Sequence, residues 1–311
     1  MGKLPKLFAR KQRSVSEREG IIGASDVGAL LGLSTYRTPY DVWLSWKGMA
    51  PEPDAETQER FDMGHELEDF IARQTERIYG VRLRRDSSAH FRKDAPWLIC
   101  HPDRMATLPD GRKLAVEIKS SSVYTNARWG EPESDEVPYD YLCQCFMYWH
   151  TGVTDEEEMW LIRFSDNRLS RYVIRRDDAL IKRIADEASS VVDGWMRGEE
   201  PLPSTFAQAA ALFPDADAEE SVIADFSAIA ECEKYRTLKQ QKKDIEMAID
   251  ESKAAILCYM GGAGGLVDGS GKRLVSYKKQ TRSSIDEKLL REKYPEIAEE
   301  VTKTRAFMVL R

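Results

Sequence analysis

No apolar run in the 311-residue sequence approaches the roughly 20 residues that span a bilayer, so helical membrane spans are not expected. The start, MGKLPKLFARKQR, is basic with no apolar stretch behind it, which argues against a signal peptide and for a cytoplasmic location. Cysteines are few and odd in number, five, without the spacing of a disulfide framework or of zinc ligands. CQC at Cys143 to Cys145 is a single short pair, and Cys232 and Cys258 stand alone; reduced structural thiols are the expectation. A net positive charge is missing too. With 46 Lys and Arg against 53 Asp and Glu the balance is -7, which argues against a protein that coats nucleic acid non-specifically but leaves room for local basic patches.

What is present fits a soluble globular protein of one large domain or two smaller ones, at 42% hydrophobic and 32% charged residues. Two basic clusters stand out. Arg10, Lys11, Arg13 and Arg18 crowd the N-terminus, and RLRRDSSAHFRK sets Arg82, Arg84, Arg85, Arg92 and Lys93 against Asp86 alone. Composition is compatible with solvated surface or DNA contact at both.

Along the chain, Ser25 or Asp26 is expected to cap a helix that closes around Gly32, and a second helix starts near Thr38 and Pro39. A third runs from about Glu56 to Tyr79 and stops at Gly80, with Met63, Leu67, Phe70, Ile71, Gln74 and Ile78 on one face. Strands are expected at VRLRRDSS, WLICHPDRMATL and RKLAVEIKSS and, after a helix carrying YDYLCQCFMYWH, at EMWLIRF and RYVIRR. A helix from Asp177 to Arg197 follows, and GEEPLPSTF reads as a linker. Two domains result, 1–205 and 206–311. In the second, the charge-rich stretch from about Glu219 to Met260 has an apolar stripe too irregular for a sustained heptad, so a helix pair or bent helix is expected. A hairpin in GLVDGSGKRLVSYKKQ, a capped helix in SSIDEKLLREKY and a closing strand in RAFMVLR complete it. Its acidic and basic helices suit docking of a partner more than catalysis.

The stretch HPDRMATLPDGRKLAVEIKSS, residues 101–121, concentrates the chemistry. If it is a hairpin, a three-residue loop of Pro109, Asp110 and Gly111 pairs Asp103 with Glu117 and puts both carboxylates on one face; a two-residue loop sends Asp103 to the other face. The period of two places Glu117 and Lys119 together while Val116 and Ile118 face the core. Two acids, a lysine and the Ile118 carbonyl between them could hold a hard divalent cation and a water beside a phosphate. A hairpin with solvated charges and a cross-strand ion pair is the other reading of the same residues.

Five separated motifs, REGIIGAS, MGHELEDFIA, HPDRM, VEIKSS and VPYDYLCQCFMYW, together resemble the PD-(D/E)XK nuclease superfamily and, within it, the lambda-exonuclease and YqaJ-like viral recombinase family, over roughly residues 14 to 200. The resemblance implies an α+β core, a mixed central sheet flanked by helices, with a C-terminal helical and hairpin extension outside it. It implies Asp103 and Glu117 as metal-binding acids, Lys119 as the lysine that positions the water, and Gln144 as the supporting glutamine. Glu68, four residues after Gly64, matches the helix acid; helical spacing alone leaves Glu66 equally placed. Arg18 and Ser25 match residues that hold a terminal 5′ phosphate, although Ser25 by itself reads equally as a helix cap. His101 has no matching role and is expected to pack. The implied activity is a Mg²⁺-dependent exonuclease, with Mn²⁺ able to substitute, that degrades one strand of linear duplex DNA 5′ to 3′ and leaves a 3′ single strand for phage-type recombination. Implied partners are double-stranded DNA ends, a single-strand annealing protein and two further copies in a homotrimer, in the host cytoplasm if the gene is phage-borne. An endonuclease or nickase on the same core and a non-catalytic DNA-end adaptor are the alternatives. The iron–sulfur branch of such nucleases needs four suitably placed cysteines, and only Cys100, Cys143 and Cys145 lie in this region.

Overall fold

Side-chain caps start several of the helices. In the protein's structure, a computed structural model describing residues 19–213 and 220–302, strand β1 (Ile22–Gly23) leads directly into helix α1 (Ala24–Leu30). Helix α2 (Pro39–Trp46) is opened by a reciprocal cap between Thr38 and Asp41 with Pro39 in the first turn. Helix α3 (Ala55–Tyr79) starts at Asp54, whose carboxylate accepts from the Thr57 amide, and stops at Gly80 with φ 64°. Ser25 is not the expected cap: Gly23 holds that position without a side-chain bond, and Ser25 lies exposed inside the helix. The apolar stripe foreseen on α3 is also only partly inside. Ile71, Ala72 and Thr75 are buried, whereas Met63, Phe70 and Ile78 are exposed.

Strands β2 (Arg82–Arg84), β3 (His90–Arg92), β4 (Ala95–Cys100), β5 (Arg104–Thr107) and β6 (Lys113–Ser120) follow. A 3-10 helix over Val123–Arg128 precedes helix α4 (Tyr139–His150), then strands β7 (Glu158–Ser165) and β8 (Arg168–Arg175), helix α5 (Asp178–Met196) and the short helix α6 (Phe206–Leu212). The main sheet has the order β2-β5-β6-β7-β8, antiparallel except for β6 and β7, which run parallel because α4 crosses between them. A second sheet has the order β1-β4-β3.

The stretch WLICHPDRMATL was expected as one strand. It is two, β4 in the small sheet and β5 in the large one, broken over His101, Pro102 and Asp103, where proline has no N–H for a ladder. Alternation along the central strands sorts the core into two layers. Ala115, Met159, Leu161 and Ile174 join the cluster with α1, α2, α4 and α5, while Leu114, Val116, Ile118, Trp160 and Ile162 pack against Ile71 and Ala72 of α3. The result is the mixed α+β architecture with helices on both faces of the sheet.

The chain divides into two compact units between Ala211 and Leu212. The first runs past the boundary expected at 205, and Gln208 of α6 donates to Thr38 Oγ1 at 2.9 Å and Asp41 Oδ1 at 2.8 Å. The second unit contains helix α7 (Phe226–Met260), capped by Asp225, the hairpin of β9 (Gly265–Val267) and β10 (Arg273–Ser276), and helices α8 (Glu287–Lys293) and α9 (Pro295–Val301). The expected helix pair is not found: α7 is one element of 35 residues, with neither glycine nor proline to interrupt it. The RAFMVLR strand falls outside the described residues. Among those described, no helix is long and apolar enough to cross a membrane.

Candidate active site

The hairpin between β5 and β6 decides which face carries the acids. Its loop closes with Leu108 N donating to Arg112 O at 2.9 Å and Gly111 N to Leu108 O at 3.0 Å, around Gly111 at φ 90°. Pairing runs from Thr107 opposite Lys113 to Arg104 opposite Val116. One step on, Asp103 stands opposite Glu117, the register of the three-residue loop. Asp103 lies just beyond β5 and turns its carboxylate onto the edge of β6, where the Ile118 amide donates to Oδ2 at 2.9 Å. Since the N–H and C=O of one strand residue leave on the same edge, the Ile118 carbonyl is directed to that side as well.

Glu117, only 3% exposed, is the centre of a closed network. Lys119 Nζ donates to its Oε1 at 2.7 Å and to Gln144 Oε1 at 3.0 Å. Gln144 Nε2 donates to the same Glu117 oxygen at 2.7 Å and to the Tyr148 hydroxyl at 2.9 Å. Tyr148 in turn donates to Glu117 Oε2. Burial, and then the charge of Asp103, push the Glu117 carboxyl up to about 7, with Lys119 opposing. Burial would lower the Lys119 pKa, yet the charges of Glu117 and Asp103 outweigh it and hold the ammonium above its ordinary value. The group is therefore two buried carboxylates with one lysine.

Glu68 is placed differently. From α3 it lies 3.8 Å from Arg104 Nη1, beside Asp69, which accepts from Arg104 at 2.5 Å and from Arg85 at 2.6 Å. Arg104, almost fully buried, also donates to the Asp103 carbonyl at 2.6 Å, so it links the acids of α3 to the start of β5. Among the described residues no three His, Cys, Asp or Glu side chains are grouped to hold a metal. The Asp103 and Glu117 pair with the Ile118 carbonyl does fit a hard divalent cation, because its donors are all oxygen and the repulsion that lifts Glu117 is what a cation relieves.

Arg18 lies outside the described residues. His101 is exposed rather than packed; its Nδ1 lies 3.1 Å from the Ser88 carbonyl, while its own carbonyl faces Tyr148 at 3.2 Å. Burial raises the Cys100 thiol to about 12, Cys143 to about 11 and Cys145 well above its ordinary value, so all three stay protonated. Two partners escaped the sequence reading. Tyr148 follows Gln144 by one helical turn, a spacing that could have signalled it. Arg104 could not be foreseen, because its partners sit on α3, 35 residues away in sequence for Asp69.

Residues 15–156 match the YqaJ-like viral recombinase domain, which bears out the YqaJ-like resemblance carried by the motifs. The uncharacterized protein YqaJ of Bacillus subtilis (strain 168) is 26% identical over 96% of this chain and 93% of its own. An alkaline exonuclease (LHK-Exo) from Laribacter hongkongensis aligns with 66% of this chain and 100% of its own, at 19% identity and a TM-score of 0.47. The same exonuclease in complex with dAMP aligns over the same shares at 18% identity and a TM-score of 0.47.

Proposed function

We propose that the protein is a divalent-metal-dependent deoxyribonuclease that degrades one strand of linear duplex DNA from its 5′ end, leaving a 3′ single strand for recombination. The observation that carries this reading is the Asp103, Glu117, Lys119 and Gln144 group: two buried acids brought together, with a lysine fixed between a carboxylate and an amide. The match to a viral recombinase domain over the stretch that contains all four residues supports it.

Lys119, held as an ammonium, is suited to orient a water and to stabilise charge on a phosphate rather than to remove a proton. In hydrolysis the water oxygen forms a bond to phosphorus, the bond from phosphorus to O3′ breaks, and the O3′ leaving group takes up a proton. Mg²⁺, or Mn²⁺ in its place, when held by Asp103, Glu117 and the Ile118 carbonyl with Glu68 as the further acid, supplies Lewis-acid stabilisation of the phosphate. Arg18 and Ser25 are assigned to the 5′ phosphate; a guanidinium gains charge-assisted bonds to a phosphorylated end that a hydroxyl end lacks. A single-strand annealing protein is the proposed partner, and a homotrimer around the DNA the proposed assembly.

The test compares linear duplex, with 5′-phosphate or 5′-hydroxyl ends, against a covalently closed circle, with Mg²⁺ and with chelator. Degradation of the linear form alone, faster from the phosphorylated end, and its loss in Asp103→Ala and Glu117→Ala, is the expected result. Lys119→Ala is expected to be inactive yet to bind metal. Cutting of the circle points to a nickase, and binding without metal-dependent degradation to an end adaptor.

A further inference from the structure

One exposed tyrosine near the site is fastened in place. Tyr36 is 62% exposed in the loop between α1 and α2. The Arg128 guanidinium lies 5.9 Å from its ring centre. Arg128 is itself held by Thr35 Oγ1 at 2.8 Å and by Asp140 Oδ1 at 3.2 Å. Asp140, 5% exposed in the first turn of α4, receives Ser34 Oγ on its other oxygen at 3.2 Å, and the Tyr36 amide donates to that Ser34 oxygen at 3.2 Å. Ser34, Thr35 and Tyr36 are thus tied to one buried carboxylate, one helical turn ahead of Gln144.

That anchorage adjoins the reacting group. Lys119 Nζ lies 5.0 Å from the ring centre of Tyr141, the residue after Asp140. Burial raises the Tyr141 phenol, with Lys119 opposing and the nearby Tyr36 adding to the rise. Fixing a solvent-facing side chain adds little to folding stability, about 0.5–1 kcal/mol for an exposed cation–π contact, and ordering it costs entropy; the arrangement makes sense for a flat apolar face kept ready for a ligand. Beside a phosphodiester site that ligand is a nucleobase. A base at a strand end that leaves the duplex stack loses one π-face contact, and an aromatic ring replaces it with little regard to sequence.

We infer that Tyr36 is a stacking shelf for the terminal, unpaired base of the strand that enters the site, a contact that selects frayed ends over duplex interior. The inference rests on the nuclease reading for its substrate. Its test uses the full chain and a linear duplex with an unpaired 2-aminopurine at one 5′ end. In chelator, wild type, Tyr36→Phe and Tyr36→Trp should bind this end and quench its fluorescence. Tyr36→Ala should lose the quenching and bind about ten-fold more weakly. In Mg²⁺ the same ranking should appear in kcat/KM on a short duplex.

Quenching by Tyr36→Ala equal to wild type overturns the inference, as does failure of the Phe and Trp variants alongside Ala, which marks a structural role. The two readings separate cleanly. Wild type that quenches through Tyr36 but cleaves nothing in Mg²⁺ removes the nuclease and keeps the shelf. Cleavage with Tyr36-independent quenching removes the shelf and keeps the nuclease. Absence of binding by wild type overturns the shelf outright.

Discussion

Tyr148 donates its hydroxyl hydrogen to Glu117 Oε2 from the helix behind the strand, on the side opposite the oxygen that Lys119 and Gln144 share. Both oxygens of the central carboxylate are thereby fixed by groups that favour its charged form, while burial and Asp103 favour the neutral one. Glu117 is poised between the two states near neutrality, and pH therefore acts on folding through this residue.

Without metal, folding should weaken as pH rises. The folded protein binds the Glu117 proton more tightly than the unfolded chain, with the pKa raised from 4.5 to about 7. The stability this contributes is whole below 4.5 and is lost as pH climbs through about 7. Wild type in chelator should lose on the order of 3 kcal/mol across that window. Glu117→Gln should lack that slope. Denaturant midpoints at several pH values measure both, and parallel curves for the two proteins count against a raised Glu117.

Tyr148→Phe should move the acid limb of the pH–rate profile upward. Its hydrogen bond lowers the Glu117 pKa, so its removal raises that pKa further. A hydrogen bond to a charged group is worth about 1.5–3 kcal/mol, which corresponds to roughly one to two pH units. An unshifted limb with reduced rate would assign Tyr148 to packing alone.

Divalent metal should reverse the pH trend. Mg²⁺ or Mn²⁺ that binds the folded protein stabilises it by mass action, about 2.7 kcal/mol at a hundred-fold excess over Kd, and more at pH 8 than at pH 5 because the ligands must be deprotonated. Thermal melts with and without metal should show this for wild type and not for Asp103→Asn.

How much of this was legible beforehand differs from residue to residue. Loop length and the period of two, both local rules, left two registers open for Asp103, and the structure has the one that, carried a step beyond Arg104 opposite Val116, sets Asp103 against Glu117. Gln144 was read from a motif, and the structure brings it to Lys119 and Glu117. The break at Pro102 and the position of Glu68 were not readable. Both depend on which sheet or arginine receives the segment, and β4 and β5 are each apolar enough to continue one another. The stripe on α3 was misjudged because periodicity shows one apolar face but not how much of it a partner covers; the C-terminal half of the helix, from Leu67 to Tyr79, is the part that meets the sheet.

Two glycines in helices should respond oppositely to alanine. A Cβ on Gly28 of α1 would lie 2.5 Å from Asp140 Cα and 2.7 Å from its Cβ. Helices α1 and α4 must separate, at a cost of about 1–3 kcal/mol, and the Ser34 and Arg128 bonds to Asp140 loosen with them. Gly64 of α3 meets nothing within 4 Å, so Gly64→Ala should gain about 1 kcal/mol from helix propensity. Equal melting shifts for the two would contradict the close approach of α1 and α4.

The end of the first unit is set by Gln208 rather than by the prolines before it. Its amide donates to Thr38 Oγ1 and Asp41 Oδ1, the residues that cap α2; burial would raise the Asp41 carboxyl, but the bonds from Thr38 and then from Gln208 hold it below its ordinary value. A chain ending at 205 loses this clamp and one ending at 213 keeps it. The longer form should melt above the shorter, by about 1–2 kcal/mol for hydrogen bonds of which one reaches a charged group, and Gln208→Ala in the full chain should show a similar loss. The chain ending at 213 should also degrade short linear duplexes in Mg²⁺, since Asp103, Glu117, Lys119 and Gln144 all lie in the first unit. If that form is folded, binds DNA ends and yet fails to cleave them while the full chain cleaves, residues after 213 take part in the active enzyme.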